Sequence, residues 1–128
     1  YMCKTPEHYE MCSEFQFKIE GKREPLGFPT VFGMSDKGEI LGFTSTSTEF
    51  GAVISGPTVI DPKLKPRLKY AQEQIKAHEH VLAGYGVTSY LFSVEKSNDR
   101  MFQTVSAAGF VPYRQDDELY WYVKQIGE

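Results

Sequence analysis

The sequence predicts a single α/β domain with a mixed, mostly antiparallel central sheet of about six strands and flanking helices. Three observations lead to this fold class. A long amphipathic helix pattern lies in the middle of the chain, segments rich in β-branched and aromatic residues lie on both sides of it, and glycines and prolines separate these segments. The chain has 128 residues, so one domain with its own core accounts for residues 1–128.

The composition limits the class of protein. The chain carries 14 Lys and Arg against 17 Asp and Glu, a formal net charge of −3, and 41% of its residues are hydrophobic. This composition is typical of a globular domain. The mild acidity argues against nucleic acid as a partner. No apolar run approaches the roughly 20 residues of a membrane-spanning helix, so we expect no membrane association.

The two cysteines, Cys3 and Cys12, are too few for a disulfide framework and favour a reducing compartment, so we expect a cytoplasmic protein. Together with His8 they lack the C-x-x-C spacing of zinc sites, and we predict no metal. The chain opens on Tyr1 and Met2, which is expected if an N-terminal strand or segment is missing or a tag residue remains.

The first half of the chain predicts one helix and three antiparallel strands. Thr5 as the cap and Pro6 at the first helical position predict a helix that ends at Gly21. Gly56 and Pro57 predict a bulge or a splay in the middle of the third strand. The three strand segments are residues 30–34, 40–50 and 52–60.

The clearest helix follows the third strand and ends at Gly84 and Gly86. Its apolar face consists of Leu64, Leu68, Ala71, Ile75, His78 and Leu82, at spacings of 4, 3, 4, 3 and 4. Because His78 lies on this apolar face, we expect it to be a hydrogen-bonded core residue. His80 points about 200° away from His78, so the two cannot share a metal ion.

A fourth strand, a third helix capped by Ser97 or Asn98, and two closing strands are predicted next, at residues 87–95, 98–108, 110–114 and 119–126. The residues that we expect to be largely buried are Leu68, Ile75, His78, Leu91, Met101, Val105 and Phe110. One helix connects the third and fourth strands, so these strands should be parallel neighbours. We expect them to diverge at their carboxyl ends, near Asp61 and Glu95.

Four basic residues lie at the start of the central helix: Lys63, Lys65, Arg67 and Lys69. The helix macrodipole makes positive side chains mildly unfavourable there. Either an anion compensates by binding the free backbone N–H groups and the side-chain charges, or the cations are solvated surface residues. The residues alone leave both interpretations open.

Residues 98–110 have the sequence NDRMFQTVSAAGF. This segment resembles the N-x-x-A-x-x-x-Y-x-x-x-G-F pattern of the GNAT N-acyltransferase superfamily with every spacing kept, and Asn98, Gly109 and Phe110 match in residue type. The order of elements over residues 30–126 also agrees with that fold. The chain is therefore identified as a divergent, glycine-poor member, similar in its compactness to phage-encoded versions of the fold.

The resemblance implies transfer of an acyl group, such as acetyl, from acyl-CoA to an amine of a small molecule or a protein, without a metal. Either Glu49, at a strand end, or a water molecule would take the proton of the amine. The residues implied in acyl-CoA binding are Val59 and Ile60 in the third strand, Lys63, Lys65 and Arg67 in the basic run, and Asn98.

Three departures from the family pattern favour an alternative. The run from Lys63 to Lys69 has no glycine and contains Pro66, which lacks an N–H donor. The position of the family's proton-donating tyrosine holds Val105, and Met101 replaces a small residue. The alternative is a catalytically inactive GNAT-fold interaction or structural module that binds a protein partner, either as part of a phage particle or directed at a host.

Overall fold

The computed structural model describes residues 1–49, 51–64, 67–97, 106 and 108–126, with Arg67 and Leu68 described in their backbone only. The helices are α1 (Pro6–Glu20) and α2 (Arg67–Gly84). The strands are β1 (Val31–Met34), β2 (Ile40–Glu49), β3 (Ala52–Ile60), β4 (Ser89–Glu95), β5 (Val111–Gln115) and β6 (Leu119–Gln125). The helix predicted at residues 98–108 lies largely outside the described residues.

The predicted boundaries of α1 are confirmed. Thr5 Oγ1 accepts a hydrogen bond from the backbone N–H of His8 at 3.3 Å, which satisfies one of the free donors of the first turn. Gly21 ends the helix with a φ of 73°, a left-handed conformation that favours glycine. In the described part of the chain, neither α1 nor α2 is long and apolar enough to cross a membrane.

The six strands form one sheet in the order β1-β2-β3-β4-β6-β5. Neighbours pair antiparallel with one exception, since β3 and β4 are parallel and joined through α2. The predicted fold class, a mixed and mostly antiparallel sheet of about six strands with flanking helices, is confirmed. The predicted parallel neighbours are confirmed with it.

The core is divided between two groups of buried side chains. One group joins α1 to the first half of the sheet and includes Cys12, Phe15 and Phe43. The other joins α2 to the second half and includes Leu82 and Phe92. Burial of apolar surface on both sides of the sheet is the main stabilising contribution to this fold.

The predicted core is confirmed at Ile75, His78 and Phe110. Leu91 is half-buried, because the buried residues of β4 are its neighbours on either side. Predicted core residues whose side chains lie outside the described part of the chain are Leu68, Met101 and Val105.

Burial changes along the hydroxyl-rich segment 44–48, since Ser47 and Thr48 are exposed. Thr44, Ser45 and Thr46 are buried. Each finds a polar partner inside the domain, since Gln74 Nε2 donates to Thr44 Oγ1 at 2.8 Å and Ser45 Oγ lies 2.8 Å from Thr30 Oγ1. Buried hydroxyls are tolerated when they are hydrogen-bonded in this way. Thr44, Ser45 and Thr46 therefore belong to a polar core.

Candidate functional site: a cleft between two diverging parallel strands

Strands β3 and β4 separate soon after they meet. Their parallel register covers only two pairs, Ile54 with Leu91 and Ser55 with Phe92. Beyond these pairs a cleft of about 200 Å³ opens between the strands. It is lined by Glu20, Lys22, Glu24, Ser55, Gly56, Pro57, Thr58, Phe92, Ser93, Val94, Glu95 and Leu119. Ligands of open α/β sheets bind at such points, outside the carboxyl ends of parallel strands.

Local chemistry explains why the strands separate at this point. Pro57 has no backbone N–H and cannot contribute a donor to the strand pairing. Gly56, which precedes it, has a φ of 146°, a backbone conformation that residues with a side chain rarely adopt. The irregularity predicted at these two residues is confirmed, both as a register shift against β2 and as a splay from β4. The separation begins at Gly56, well before Asp61, where it was expected.

Charged side chains surround the mouth of the cleft. Lys22 Nζ lies 3.0 Å from Glu24 Oε1. This hydrogen bond and the charge of Glu24 raise the pKa of Lys22, with further contributions from the negative charges of Glu20 and Glu95. Three carboxylates and one ammonium thus line the cleft, so a cation is attracted to it.

A buried histidine lies behind the point of separation. His78 is 1% exposed, and its Nε2 lies 2.7 Å from Thr46 Oγ1. Its Nδ1 lies 3.5 Å from the hydroxyl oxygen of Ser55, which lines the cleft. Burial lowers the pKa of His78 to about 4, so the ring is neutral at physiological pH. The prediction of a hydrogen-bonded core histidine is confirmed.

The loop after β3 is held together by its own polar groups. Asp61 Oδ1 accepts a hydrogen bond from the backbone N–H of Lys63 at 2.9 Å, and the backbone carbonyl of Asp61 accepts one from Leu64 at 3.2 Å. Both amides are therefore engaged within the loop. Lys63 is exposed, so its charge is the feature of residues 61–64 available to an anion.

The residues predicted from sequence are not all brought together. Val59 and Ile60 are buried and pair with Phe43 and Gly42 of β2, further along β3 than the part that lines the cleft. Glu49 is exposed at the end of β2, opposite Ala52, and does not line the cleft. Their predicted roles stay predictions.

The basic residues of the predicted anion site are described only in part. Lys63 lies in a groove of about 440 Å³ between α1 and the loop, together with Lys18 and Asp61. Arg67 begins α2, and its side chain is not described. Lys65 and Asn98 lie outside the described residues.

Sequence reasoning missed the acidic lining of the cleft and the link between His78 and Ser55. The carboxylates come from the end of α1, the segment after it and the end of β4, which are distant in the chain. The only local signal was the position of Glu95 at a strand end. Across the described residues, no group of three His, Cys, Asp or Glu side chains is placed to hold a metal ion.

No protein-family model matches the sequence, and no curated protein sequence matches it. Solved structures do match. The ribosomal-protein-S18-alanine N-acetyltransferase of Escherichia coli superposes with a TM-score of 0.74 at 12% identity, over 100% of this chain and 94% of that one. The chain has the GNAT fold.

Two further structures share this GNAT fold over part of their length. A GNAT-family acetyltransferase from Listeria monocytogenes gives a TM-score of 0.61 at 13% identity and covers 75% of this chain. The PaiA N-acetyltransferase of Thermoplasma acidophilum, solved in complex with coenzyme A, gives 0.66 at 15% identity and also covers 75%. The present chain spans 63% and 60% of the lengths of these two proteins.

The cleft and the loop fit coenzyme A to different degrees. The cleft is narrow and lies between two strands whose facing edges have separated, which suits an extended arm with amide groups. The described part of the loop is not a backbone cradle for pyrophosphate, because the amides of Lys63 and Leu64 are already bonded to Asp61. An anion at the loop would depend on side-chain charge.

Proposed function

We propose that the protein is an acyl-CoA-dependent N-acyltransferase that transfers an acyl group, such as acetyl, to the amine of a small molecule or a protein. The observation that carries this proposal is the cleft formed where β3 and β4 diverge after two paired residues. The GNAT fold of the chain and the acetyltransferase names of the matching structures support it. Fold alone would not suffice, since one fold serves many functions.

In this proposal the cleft holds the pantetheine arm of acyl-CoA, whose thioester supplies the activated acyl group. The separated strand edges offer peptide groups to the amides of the arm, with Val59 and Ile60 further along β3 and Asn98 as additional binding residues. Holding donor and acceptor in one cleft makes the transfer effectively intramolecular, which is a large part of the rate enhancement available to such an enzyme.

Lys63, Lys65 and Arg67 are proposed to bind the pyrophosphate by charge. Charge-assisted hydrogen bonds to phosphate oxygens are stronger than neutral ones, and they can substitute in part for a missing backbone cradle. Because such an interaction is exposed, it weakens as salt shortens the Debye length from about 10 Å to about 3 Å. Affinity for CoA should therefore fall steeply between 0.1 M and 1 M salt.

The amine acceptor is proposed to approach from the acidic mouth of the cleft. Glu20, Glu24 and Glu95 favour a protonated amine there, and a carboxylate or a water molecule takes one proton from it. Attack of the free amine then forms the C–N bond and breaks the C–S bond, and the second amine proton passes to CoA, which leaves as its thiol. Glu95 lines the cleft, whereas Glu49, the base proposed from sequence, lies at the end of β2. Comparing the pH–rate profiles of Glu95→Gln and Glu49→Gln decides between the two carboxylates.

The test is a calorimetric titration with acetyl-CoA at low salt. At a hundredfold excess over Kd, ligand binding should also stabilise the fold by about 2.7 kcal/mol. Changing Lys63, Lys65 and Arg67 together to Ala should abolish binding and leave the apo protein folded, whereas Lys37→Ala, in the exposed turn between β1 and β2, should change neither. Absence of both heat and thermal shift for the wild-type chain would rule out the acyltransferase proposal.

The inactive interaction module is the second candidate, and the hydrogen bond between Asp61 and Lys63 favours it. This contact uses an amide of the loop and holds a carboxylate beside Lys63, which weakens attraction of an anion there. Turnover of acetyl-CoA with a panel of amines, measured as thiol release, separates the candidates. Binding without thiol release would indicate a fold that has kept its ligand and lost its chemistry.

A further inference from the structure

The direction of the hydrogen bonds around His78 follows from a single carbonyl. The backbone oxygen of Pro29 can only accept, and Thr46 Oγ1 donates its one hydrogen to it at 2.7 Å. Thr46 must then accept from His78 Nε2, which lies 2.7 Å away. The network therefore assigns the ring proton to Nε2 and leaves Nδ1 as an acceptor.

The bare Nδ1 faces the hydroxyl of Ser55 at 3.5 Å. Ser55 can satisfy it only by donating its hydrogen toward the histidine. The lone pairs of the Ser55 oxygen are then free to accept a hydrogen bond from the cleft, which this residue lines. The contact is long, and a hydrogen bond accepted by the Ser55 oxygen would polarise its O–H group and strengthen its donation to Nδ1.

The placement of His78 decides between a catalytic and a positioning role. His78 is 1% exposed and is not among the residues that line the cleft, so it acts on a ligand there only through Ser55. Burial lowers the pKa of His78 to about 4 and keeps the ring neutral at physiological pH. A neutral ring with a bare Nδ1 is suited to fixing the orientation of the Ser55 hydroxyl.

We propose that Ser55 is a binding residue of the cleft whose oxygen accepts a hydrogen bond from an amide N–H of an acyl-pantetheine arm, and that His78 is the residue that positions it. This inference rests on the proposed function. Ser55 is 5% exposed, so a partner reaching it loses its water. A neutral amide loses far less hydration energy than an ammonium, which favours the arm over the amine at this position.

The first experiment is calorimetric titration of the full chain with pantetheine and with CoA. One hydrogen bond of this kind contributes about 0.5–1.5 kcal/mol, so Ser55→Ala should weaken both ligands by about threefold to tenfold. Ser55→Thr, which keeps the hydroxyl, should restore most of the affinity. Ser93→Ala is the matched control, because Ser93 lines the same cleft from β4 and should have a smaller effect.

The second experiment measures the charge and the tautomer of His78 by 15N NMR. At pH 7 we expect His78 to be neutral with its proton on Nε2, and CoA should shift the Nδ1 resonance in the wild type but not in Ser55→Ala. A proton on Nδ1 would overturn the inference without any ligand being added. Equal binding of CoA by wild type and Ser55→Ala would overturn it while the proposed function stands. Absence of binding by the wild type would overturn both.

Discussion

The side-chain oxygen Oδ1 of Asp61 accepts a hydrogen bond from the backbone N–H of Lys63 at 2.9 Å. This amide belongs to the loop that precedes α2 and is already engaged, and the carboxylate adds a negative charge beside Lys63. Asp61 thus acts as an internal competitor for the proposed pyrophosphate site. An anion at the loop therefore competes with Asp61, whereas the cleft between β3 and β4 is open to a ligand.

Removing the charge of Asp61 should increase affinity for CoA. Asp61→Asn keeps a side-chain oxygen for the turn but removes the repulsion, and exposed charge pairs are worth up to about 1 kcal/mol, so we expect a gain of about twofold to fivefold. Calorimetry at low salt measures it, with Asp36→Asn in the exposed turn between β1 and β2 as the control. Weaker binding by Asp61→Asn would show that the turn, rather than free amides, organises the site.

The buried His78 should make stability depend on pH. The unfolded chain binds a proton at the ordinary histidine pKa of about 6.5, whereas burial lowers the pKa of the folded protein to about 4. The unfolded state therefore holds more protons between these values. The contribution of His78 is fully present above about pH 6.5 and is lost as the pH falls toward 4.

Between pH 7 and pH 4.5 the loss amounts to about 2 kcal/mol. Denaturant unfolding of the wild type at pH 7 and pH 4.5 measures it, and subtracting the same difference for His78→Gln removes the contribution of the carboxylates. The groups that face His78 are the hydroxyls of Thr46 and Ser55 and the ring of Tyr90, which leaves the imidazolium without a counter-charge among these contacts. Identical pH dependence in both proteins would contradict this account.

Core truncation on α2 should be costly. Ile75 and Leu82 are buried against the second half of the sheet, and shortening such residues to Ala removes contacts and leaves a cavity. Each variant should lose about 2–5 kcal/mol in its free energy of unfolding. Lys76→Ala, on the exposed side of the same helix, should change it by less than about 0.5 kcal/mol. A loss below that level for both apolar variants would mean that the helix face is misassigned.

Gly27→Ala should disturb the polar core behind the cleft. A Cβ at Gly27 would meet the backbone carbonyl oxygen of Thr46, and the N–H of Gly27 donates to Ser45 Oγ at 2.8 Å. Because backbone must move to make room, we expect a loss of about 1–3 kcal/mol by thermal or chemical unfolding. Gly84→Ala, where the new Cβ meets no atom within 4 Å, should be neutral or stabilising.

The elements of this fold were accessible from sequence because their causes are local. The cap at Thr5, the left-handed Gly21 and the apolar spacing that includes Ile75 act within a few residues of the chain. The splay at Gly56 and Pro57 belongs to the same class, since a missing N–H interrupts pairing wherever the strand lies. The single connecting helix also determined that β3 and β4 would be parallel.

Only the tertiary structure decided which side chains line the cleft and which lie behind it. Ser55 and His78 are 23 residues apart, and Thr46 and His78 are 32 apart, so no periodic pattern links them. The register of β2 against β3 and the packing of α2 on the sheet bring these groups together, and burial then makes the histidine neutral. Glu20 and Glu95 likewise line the same cleft only because of where α1 packs against the sheet. Burial of apolar surface between segments distant in the chain determines that packing, and local sequence does not.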